Sequence, residues 1–548
     1  MANYHVLKNH TTLERWILLF APSIFVFLVI LFPFLDLASG KINAGFITQV
    51  FSNSPVSLVT RRAIWNSTLQ GAFSALLSFA VGLPLGMFLG RFSFRFKKAV
   101  TSLILVPFFL PSVVVVLAFV SSFGPDSFLH AVIPFSAVLA SGFTGIIAVN
   151  TFFNAPLVAL FTMTAIEQVD LSLDEAAITL NASDARRFFT VWGRDGIASG
   201  LGGALLAFVY SFSGFAAPLI IGGSQNYTMD AWIYFFYRTV YNLPAAVFLA
   251  IIEAIVLMVP AVAYVMFFTR KPRVAGGGPL VRSPRTARNI FFLIGLAYAA
   301  LWIGIEAYIL SSVLAMSLFN GGTHWTGLGN YYVLFGSRAD YAVGIGAWNS
   351  ILNTLFYGSL TALLVTGLGS MWIVGKRRLA VTGAPVADLM QYVPLVISAI
   401  VMAFSLLVVY GSVTPVYLLW VLIVAAQSAV AIPVVLRILE AGFSPIPRSH
   451  TEAAMVLKGN AFFEVELPMA KSTFGSALMF GFAISLGEFS ATNFLASGTF
   501  IPLTVEIYLL QYDRLFGAAY AAAAILLIVS LISFYVIQLL GERFSAFR

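Results

Sequence analysis

The chain has 548 residues, 60% of them hydrophobic and 9% charged, with 52 Phe and no Cys. So few polar side chains cannot clothe a water-facing surface, which excludes a soluble domain and makes this an integral membrane protein. Without cysteine there are no disulfides and no thiolate metal sites. The net charge of +8 comes from Lys and Arg gathered beside apolar runs, a pattern that suits anionic lipid and not nucleic acid.

Runs of roughly 20 apolar residues fit membrane-crossing helices, whereas barrel strands alternate apolar and polar residues over about ten. Twelve helical spans are expected, at about 16–38, 64–90, 99–121, 137–166, 201–222, 244–268, 290–315, 349–374, 386–411, 414–437, 473–497 and 517–540. The first follows Lys8, Glu14 and Arg15 and is followed by LASGK with no A-x-A-like site. It therefore reads as a retained span and not a cleaved signal peptide. Gly82, Gly86 and Gly90 form consecutive G-x-x-x-G spacings, expected to bring two helices close.

Lys and Arg stay on the cytoplasmic side of short loops. An N-terminus inside puts Lys41, Arg61, Arg62, Arg238, Arg338 and Arg514 outside and every other Lys and Arg inside. The clusters RFSFRFKK at 91–98, RKPRVAGGGPLVRSPRTAR at 270–288 and GKRR at 375–378 then share one face. Both termini are expected in the cytoplasm of a multi-pass cell-membrane protein.

The Gly-, Pro- and Arg-rich segment lies near mid-chain, and the sequence on its two sides repeats. An offset of 277 residues matches Pro156 with Pro433, Ser172 with Ser449, Glu175-Ala176-Ala177 with Glu452-Ala453-Ala454, and Leu180 with Leu457. Further on the offset is 274, pairing Ser211 with Ser485, Phe215 with Phe489, and Ile233-Tyr234 with Ile507-Tyr508; WNS at 65–67 recurs at 348–350. The expected organisation is all-α, with a first repeat at 1–268, a basic cytoplasmic linker at 269–289 and a second repeat at 290–548. An even number of spans, about six, gives each half the same orientation, so a pseudo-two-fold axis along the membrane normal and a solute path between the halves are expected.

Between spans, EAAITLNASDARRFF at 175–189 and EAAMVLKGNAFFEVELP at 452–468 are polar interruptions at matching places. Each follows Ser with Glu three residues later, SLDE at 172–175 and SHTE at 449–452, the spacing of a capping box. Short cytoplasmic helices are expected to start at Ser172 and Ser449 and to stop at Asn181 and Gly459, residues that tolerate the left-handed conformation. The paired alanines leave a smooth surface for a partner.

At these residues the chain resembles the permease subunits of ATP-binding-cassette importers, whose cytoplasmic loop carries E-A-A, then Gly, then I-x-L-P. The first copy has Glu175, Ala176 and Ala177, then Asn181 in place of Gly and Val191 at the Ile position, with Gly193-Arg194 for the final Leu-Pro. The second has Glu452, Ala453, Ala454 and Leu467-Pro468, but Lys458 where Gly belongs and Gly459 one residue late. The two-copy layout, with NTFFNAPL before the first loop and SLGEFSATNFL after the second, looks most like permeases for ferric iron or thiamine. The resemblance implies two cytosolic ATPases that each receive one loop helix, and an extracytoplasmic solute-binding protein. ATP and Mg would be used by the ATPases, with no cofactor bound by this chain and no catalysis in it. The sequence fits that division of labour: it has no G-x-x-x-x-G-K-[ST] phosphate loop, and GSMWIVGKRR at 369–378 has the wrong spacing.

Within the spans, acids are costly and mark cavities or partners. Glu253, Glu306 and Glu488 qualify. Glu488 stands opposite Gly214 in the repeat, SLGEF against SFSGF, so one half offers a charge where the other offers a gap. Glu488 and Gly214 are therefore candidates for the translocation pathway of a cationic solute, against a purely packing role for Glu488. The five histidines never fall at i, i+3 or i+4, and no metal-ligand set is assigned. DLSLD at 170–174 lacks the second acidic cluster of a diphosphate-binding prenyltransferase. The competing function is a gradient-driven secondary carrier of two six-helix halves, which has no use for duplicated cytosolic helices and would carry more ionisable residues in its spans.

Overall fold

The computed structural model describes residues 18, 20–40, 55–268, 290–320, 324–379, 393–457 and 459–545. The expected linker at 269–289 lies outside them, as do Lys8, Glu14, Arg15, Lys41 and Lys458. Among the described residues nine helices are long and apolar enough to cross a membrane, and two bent helix pairs raise that to eleven. The fold is all-α, apart from a two-residue antiparallel ribbon pairing Phe319–Asn320 with His324–Trp325.

The chain packs as two compact units, one formed by 43–330 and the other by 1–42 with 331–548. Helix α1 (Phe20–Ser39) belongs to the second. The 43–330 unit holds α2 (Pro55–Arg91), α3 (Lys97–Leu105), α4 (Ser112–Phe123), α5 (Gly142–Glu167), α6 (Leu171–Thr179), α7 (Gly193–Phe212), α8 (Met229–Arg238), α9 (Leu243–Phe268) and α10 (Ile290–Met316). The other unit adds α11 (Ser337–Val343), α12 (Ala347–Leu379), α13 (Ala399–Tyr410), α14 (Leu419–Phe443), α15 (Arg448–Val456), α16 (Lys471–Gly487), α17 (Ser490–Leu495), α18 (Leu503–Tyr512) and α19 (Phe516–Ser545).

The units cut across the sequence halves, because the opening span of each half packs into the unit built from the other. Helix α1 rests on α13, where the Tyr410 hydroxyl donates to the Leu28 carbonyl at 3.0 Å and the Phe32 and Tyr410 rings lie 6.4 Å apart. Helix α10 rests on α4. The Ser312 hydroxyl meets those of Ser121 at 2.6 Å and Ser122 at 2.8 Å, and Tyr308 donates to the Ser122 carbonyl at 3.0 Å. In lipid such polar contacts and close packing replace the hydrophobic drive that water would supply.

The glycine stripe packs as its spacing predicts. A Cβ at Gly82 would collide with the Ala155 carbonyl, one at Gly86 would come within 2.5 Å of the Ala159 carbonyl and of Thr162 Cβ, and one at Gly90 within 2.8 Å of Ile166 Cβ. Contacts advance by four residues on both helices together, so α2 and α5 run parallel with their backbones nearly touching.

Several expected spans are not continuous helices, among them the run 201–222, which leaves α7 at Phe212 and becomes helical again at 216. The run 99–121 bends by 100° between 109 and 112, since Pro111 has no N–H to donate and its ring excludes helical geometry in the residue before it. In the run 386–411 the described helix is α13 alone, twelve residues long, started by Ser398 whose hydroxyl accepts from the Val401 amide at 3.2 Å. The run 473–497 leaves α16 at Gly487 and resumes as α17 at Ser490.

Gly86→Ala is expected to cost about 1–3 kcal/mol through overpacking and to lower the melting temperature in detergent. Gly367→Ala, where a Cβ meets nothing within 4 Å, is the matched control and is expected to be neutral or stabilising by up to about 1 kcal/mol.

Candidate functional site

Both polar interruptions fold as short helices joined to the next span by the same irregular turn. Helix α6 and helix α15 are nine residues each, and a π-helical turn follows at Phe188–Trp192 in one copy and Phe462–Glu466 in the other, the repeat offset of 274. Such turns are rare and concentrate at functional positions.

The starts differ from the capping-box expectation. Asp170, not Ser172, is the N-cap of α6, its Oδ1 accepting the Ser172 amide at 2.9 Å. Its short carboxylate closes onto the amide two residues on, leaving Ser172 inside the helix and Glu175 exposed. Helix α15 begins at Arg448, directly after Pro447, so Ser449 is also inside.

The stops agree in one copy. Asn181 is left-handed with φ 55°, and the Ala182 amide donates to the Ala177 carbonyl at 3.0 Å in a Schellman closure. In the second copy the equivalent bond runs from the Gly459 amide to the Ala454 carbonyl at 2.9 Å. Gly459 therefore matches Ala182 and not Asn181. Its lack of a side chain serves the next turn, because a Cβ there would strike the Glu464 carboxylate, whose Oε1 accepts the Asn460 amide at 3.0 Å.

Glu175, Ala176, Glu452 and Ala453 are exposed, Ala177 is half-buried and Ala454 is buried. Beside them stand apolar side chains that water disfavours: Leu180 and Leu457 are each 82% exposed, and Phe189 and Phe463 are 67% and 63% exposed. Both pairs sit at repeat offsets, so each half presents a like acidic and apolar face.

An arginine at the end of the long preceding helix holds each loop in place. Arg91, the last residue of α2, donates to Asp174 Oδ2 at 3.1 Å and lies 5.0 Å over the Trp192 ring. Arg187 completes a bidentate grip, Nε to Oδ1 at 2.9 Å and a terminal nitrogen to Oδ2 at 2.5 Å. Asp174 is fully buried. Burial alone would raise its pKa, but the hydrogen bond from Arg187 and the charge of Arg91 outweigh that and hold it below the usual carboxylate range. A lowered value means the stabilisation is complete above the ordinary carboxylate pKa and is lost as pH falls through the depressed one.

In the second copy Arg377, near the end of α12, donates to the carbonyls of Phe443 and, at 2.9 Å, Ile446, and its Nε lies 3.8 Å from Oε1 of buried Glu466. Glu466 occupies the repeat position of Trp192. The two clamps thus share an arginine and a location while differing in partner. In the sequence Arg91 and Arg377 stand out only as members of the basic clusters, and Asp174 only within DLSLD, with nothing local to pair them.

The pathway candidates sit at a helix break in each unit. Glu488 follows α16, and its carboxylate accepts the Ala491 amide at 2.8 Å, the Thr492 amide at 2.9 Å and the Thr492 hydroxyl at 2.6 Å. Beside it Gln427 donates to Thr492 at 3.0 Å and accepts from Ser485 at 2.6 Å. In the other unit the Gly214 amide donates to the Ser211 carbonyl at 3.0 Å and its carbonyl accepts from Thr228 at 3.2 Å. Asn150 there donates to Gln70 at 2.7 Å, and Asn154 to the Ser211 hydroxyl at 3.1 Å. Asn150 and Gln427 are related by the 277 offset and Ser211 and Ser485 by 274. That shared offset was the available signal for these amides. Glu253 and Glu306 are buried in α9 and α10.

Residues 82–274 and 358–546 each match the family of binding-protein-dependent transport system inner membrane components. The chain belongs to that family. It carries the permease domain twice in one polypeptide, and it is a multi-pass inner-membrane protein of a kind that works with ATPase subunits and a solute-binding protein. Among curated relatives, a ferric transport system permease protein of Actinobacillus pleuropneumoniae is 23% identical over 489 residues, covering 85% of this chain and 69% of the relative. A thiamine transport system permease protein of Brucella abortus is 23% identical over 530 residues, 92% of this chain and 91% of the relative. A probable molybdenum ABC transporter permease protein of Haloferax volcanii is 29% identical over 182 residues, 31% of this chain and 65% of the relative.

Asp174→Ala in this permease leaves two arginines without their buried counter-charge and is expected to destabilise it by about 3–5 kcal/mol. Glu175→Ala, on the exposed face of the same helix, is expected to stay within about 0.5 kcal/mol. Melting curves of the two purified variants in one detergent check the contrast.

Proposed function

We propose that this permease forms the solute pathway of an ATP-binding-cassette importer and that α6 and α15 are its two coupling helices, each received by a cytosolic ATPase. The observation that carries the reading is the paired face of Glu175, Ala176, Leu180 and Phe189 with Glu452, Ala453, Leu457 and Phe463, exposed and held to a long span by arginine. A helix meant only to join two spans has no reason to display Leu at 82% exposure twice. Arg91 and Arg377 tie the loops to the ends of α2 and α12, so a push on either loop acts on a span directly.

In this reading the loops and both termini face the cytoplasm, with two ATPases beneath and a binding protein delivering solute on the other side. The names of the two long-range relatives, ferric and thiamine transport permeases, support a small cationic solute, ferric iron or thiamine. Glu488 and Gly214 belong to the pathway as the points where a membrane helix stops short. Glu488, with three donors of its own chain on its carboxylate, sets the shape of that break.

The test is uptake in proteoliposomes with ATPase subunits and binding protein added. Glu175→Arg or Glu452→Arg is expected to cut uptake at least tenfold while ATP hydrolysis persists and the permease remains inserted. Unchanged uptake in both variants, or wild-type uptake on an imposed ion gradient alone, overturns the assignment. Glu488→Gln places an amide nitrogen against a backbone N–H and is expected to slow uptake with ATPase assembly intact.

A further inference from the structure

The 1–42 and 331–548 unit contains a second acidic feature, far from its loop helix. Glu506 on α18 is fully buried, and neither carboxylate oxygen closes a hydrogen bond. Facing it are the Ser350 hydroxyl, also fully buried and without a hydrogen bond, and the Asp340 carboxylate of α11. No Lys or Arg among the described residues pairs with either acid. Burial pushes the Glu506 carboxyl up to about 7, against the lowering effect of Ser350 and with Asp340 adding to the rise. A buried carboxylate beside a second one, uncompensated, is among the costliest arrangements a fold can hold.

The first repeat uses the same place differently. At the 274 offset Glu506 becomes Trp232, packed edge-on against Tyr227 at 5.7 Å and Phe235 at 5.3 Å. Ser67 there accepts the Met229 amide at 2.8 Å, as its counterpart Thr354 accepts the equivalent Leu503 amide at 2.8 Å. Ser350 stands one turn before Thr354, where the first repeat has Ala63, and so takes no part in that bond. An aromatic plug in one repeat is thus replaced by oxygen ligands in the other.

We infer that Glu506, Asp340 and Ser350 form a site for a hard divalent cation of the Mg2+ or Mn2+ class. Two carboxylates match its charge, and their oxygens with the hydroxyl supply part of an octahedron that water completes, the usual way such ions bind. Half-buried Asp340 gives the ion a way in, while Glu506 fixes the depth. Ser350 lies in the first turn of α12 and Arg377 in its last, about 40 Å apart at 1.5 Å per residue, so the site stands at the other end of this span from the coupling clamp. The bound ion would tie α11 and α18 to the start of α12.

The probe is Mn2+ titrated into the full-length permease in detergent, followed by the electron paramagnetic resonance signal of the free ion. Wild type is expected to take up one Mn2+ per chain, with displacement by Mg2+ and a rise in melting temperature. Glu506→Gln and Asp340→Asn are each expected to weaken binding at least tenfold, and Asp513→Asn, an exposed acid at the end of α18, to leave it unchanged. Metal-free elution and melting of the variants establish that they fold. No saturable Mn2+ in wild type, or equal binding by folded Glu506→Gln, overturns the site.

Discussion

The permease depends on an ion pair at the membrane edge. Arg91 ends a helix long enough to cross the bilayer, and Asp174 is a buried residue of a nine-residue helix beyond it. Burying a carboxylate is expensive unless its partners are fixed, and here two guanidinium groups fix it from two elements. The same contact makes the loop a rigid extension of the span. A loop joined only by backbone would yield under load, whereas one gripped by α2 at one end and by Arg187 at the other moves as a piece with the helix.

The second half reaches that end with different chemistry. Arg377 spends its donors on the carbonyls at the end of α14 and lies at longer range from Glu466. Carbonyls at a helix C-terminus carry only partial charge, so this clamp is more a backbone staple than an ion pair. The two loop anchors are alike in place and unlike in chemistry.

Inside the membrane the governing constraint is that every backbone amide needs a partner without help from water. Where Pro111 or the turn at Glu488 interrupts a helix, the freed groups are met locally. Glu488 shows the principle most fully, since one carboxylate answers two amides and a hydroxyl. An acid picked out in the sequence as a charge for the solute is engaged by its own chain. What it sets is the shape of the break.

Several features were legible in advance because they rest on period and composition. Long apolar runs can only be helices in lipid, the 277 and 274 offsets expose the duplication, and the spacing of Gly82, Gly86 and Gly90 forces a close helix pair. The positive-φ stop at Asn181 was legible because few other side chains tolerate it. Features that depend on which of several neighbours reaches a group first were not: Asp170 took the cap expected of Ser172, and Gly459 took the place of Ala182 and not that of Asn181. The packing of α1 with α13 and of α10 with α4 also joins residues hundreds of positions apart. By itself, then, the sequence determined the membrane class, the duplication and the places where the chain leaves the bilayer, all set by local hydrophobicity and repetition. The tertiary structure alone decided which arginine grips which carboxylate, which acid is satisfied and which is left facing another, because those outcomes depend on distances between segments that no local pattern encodes.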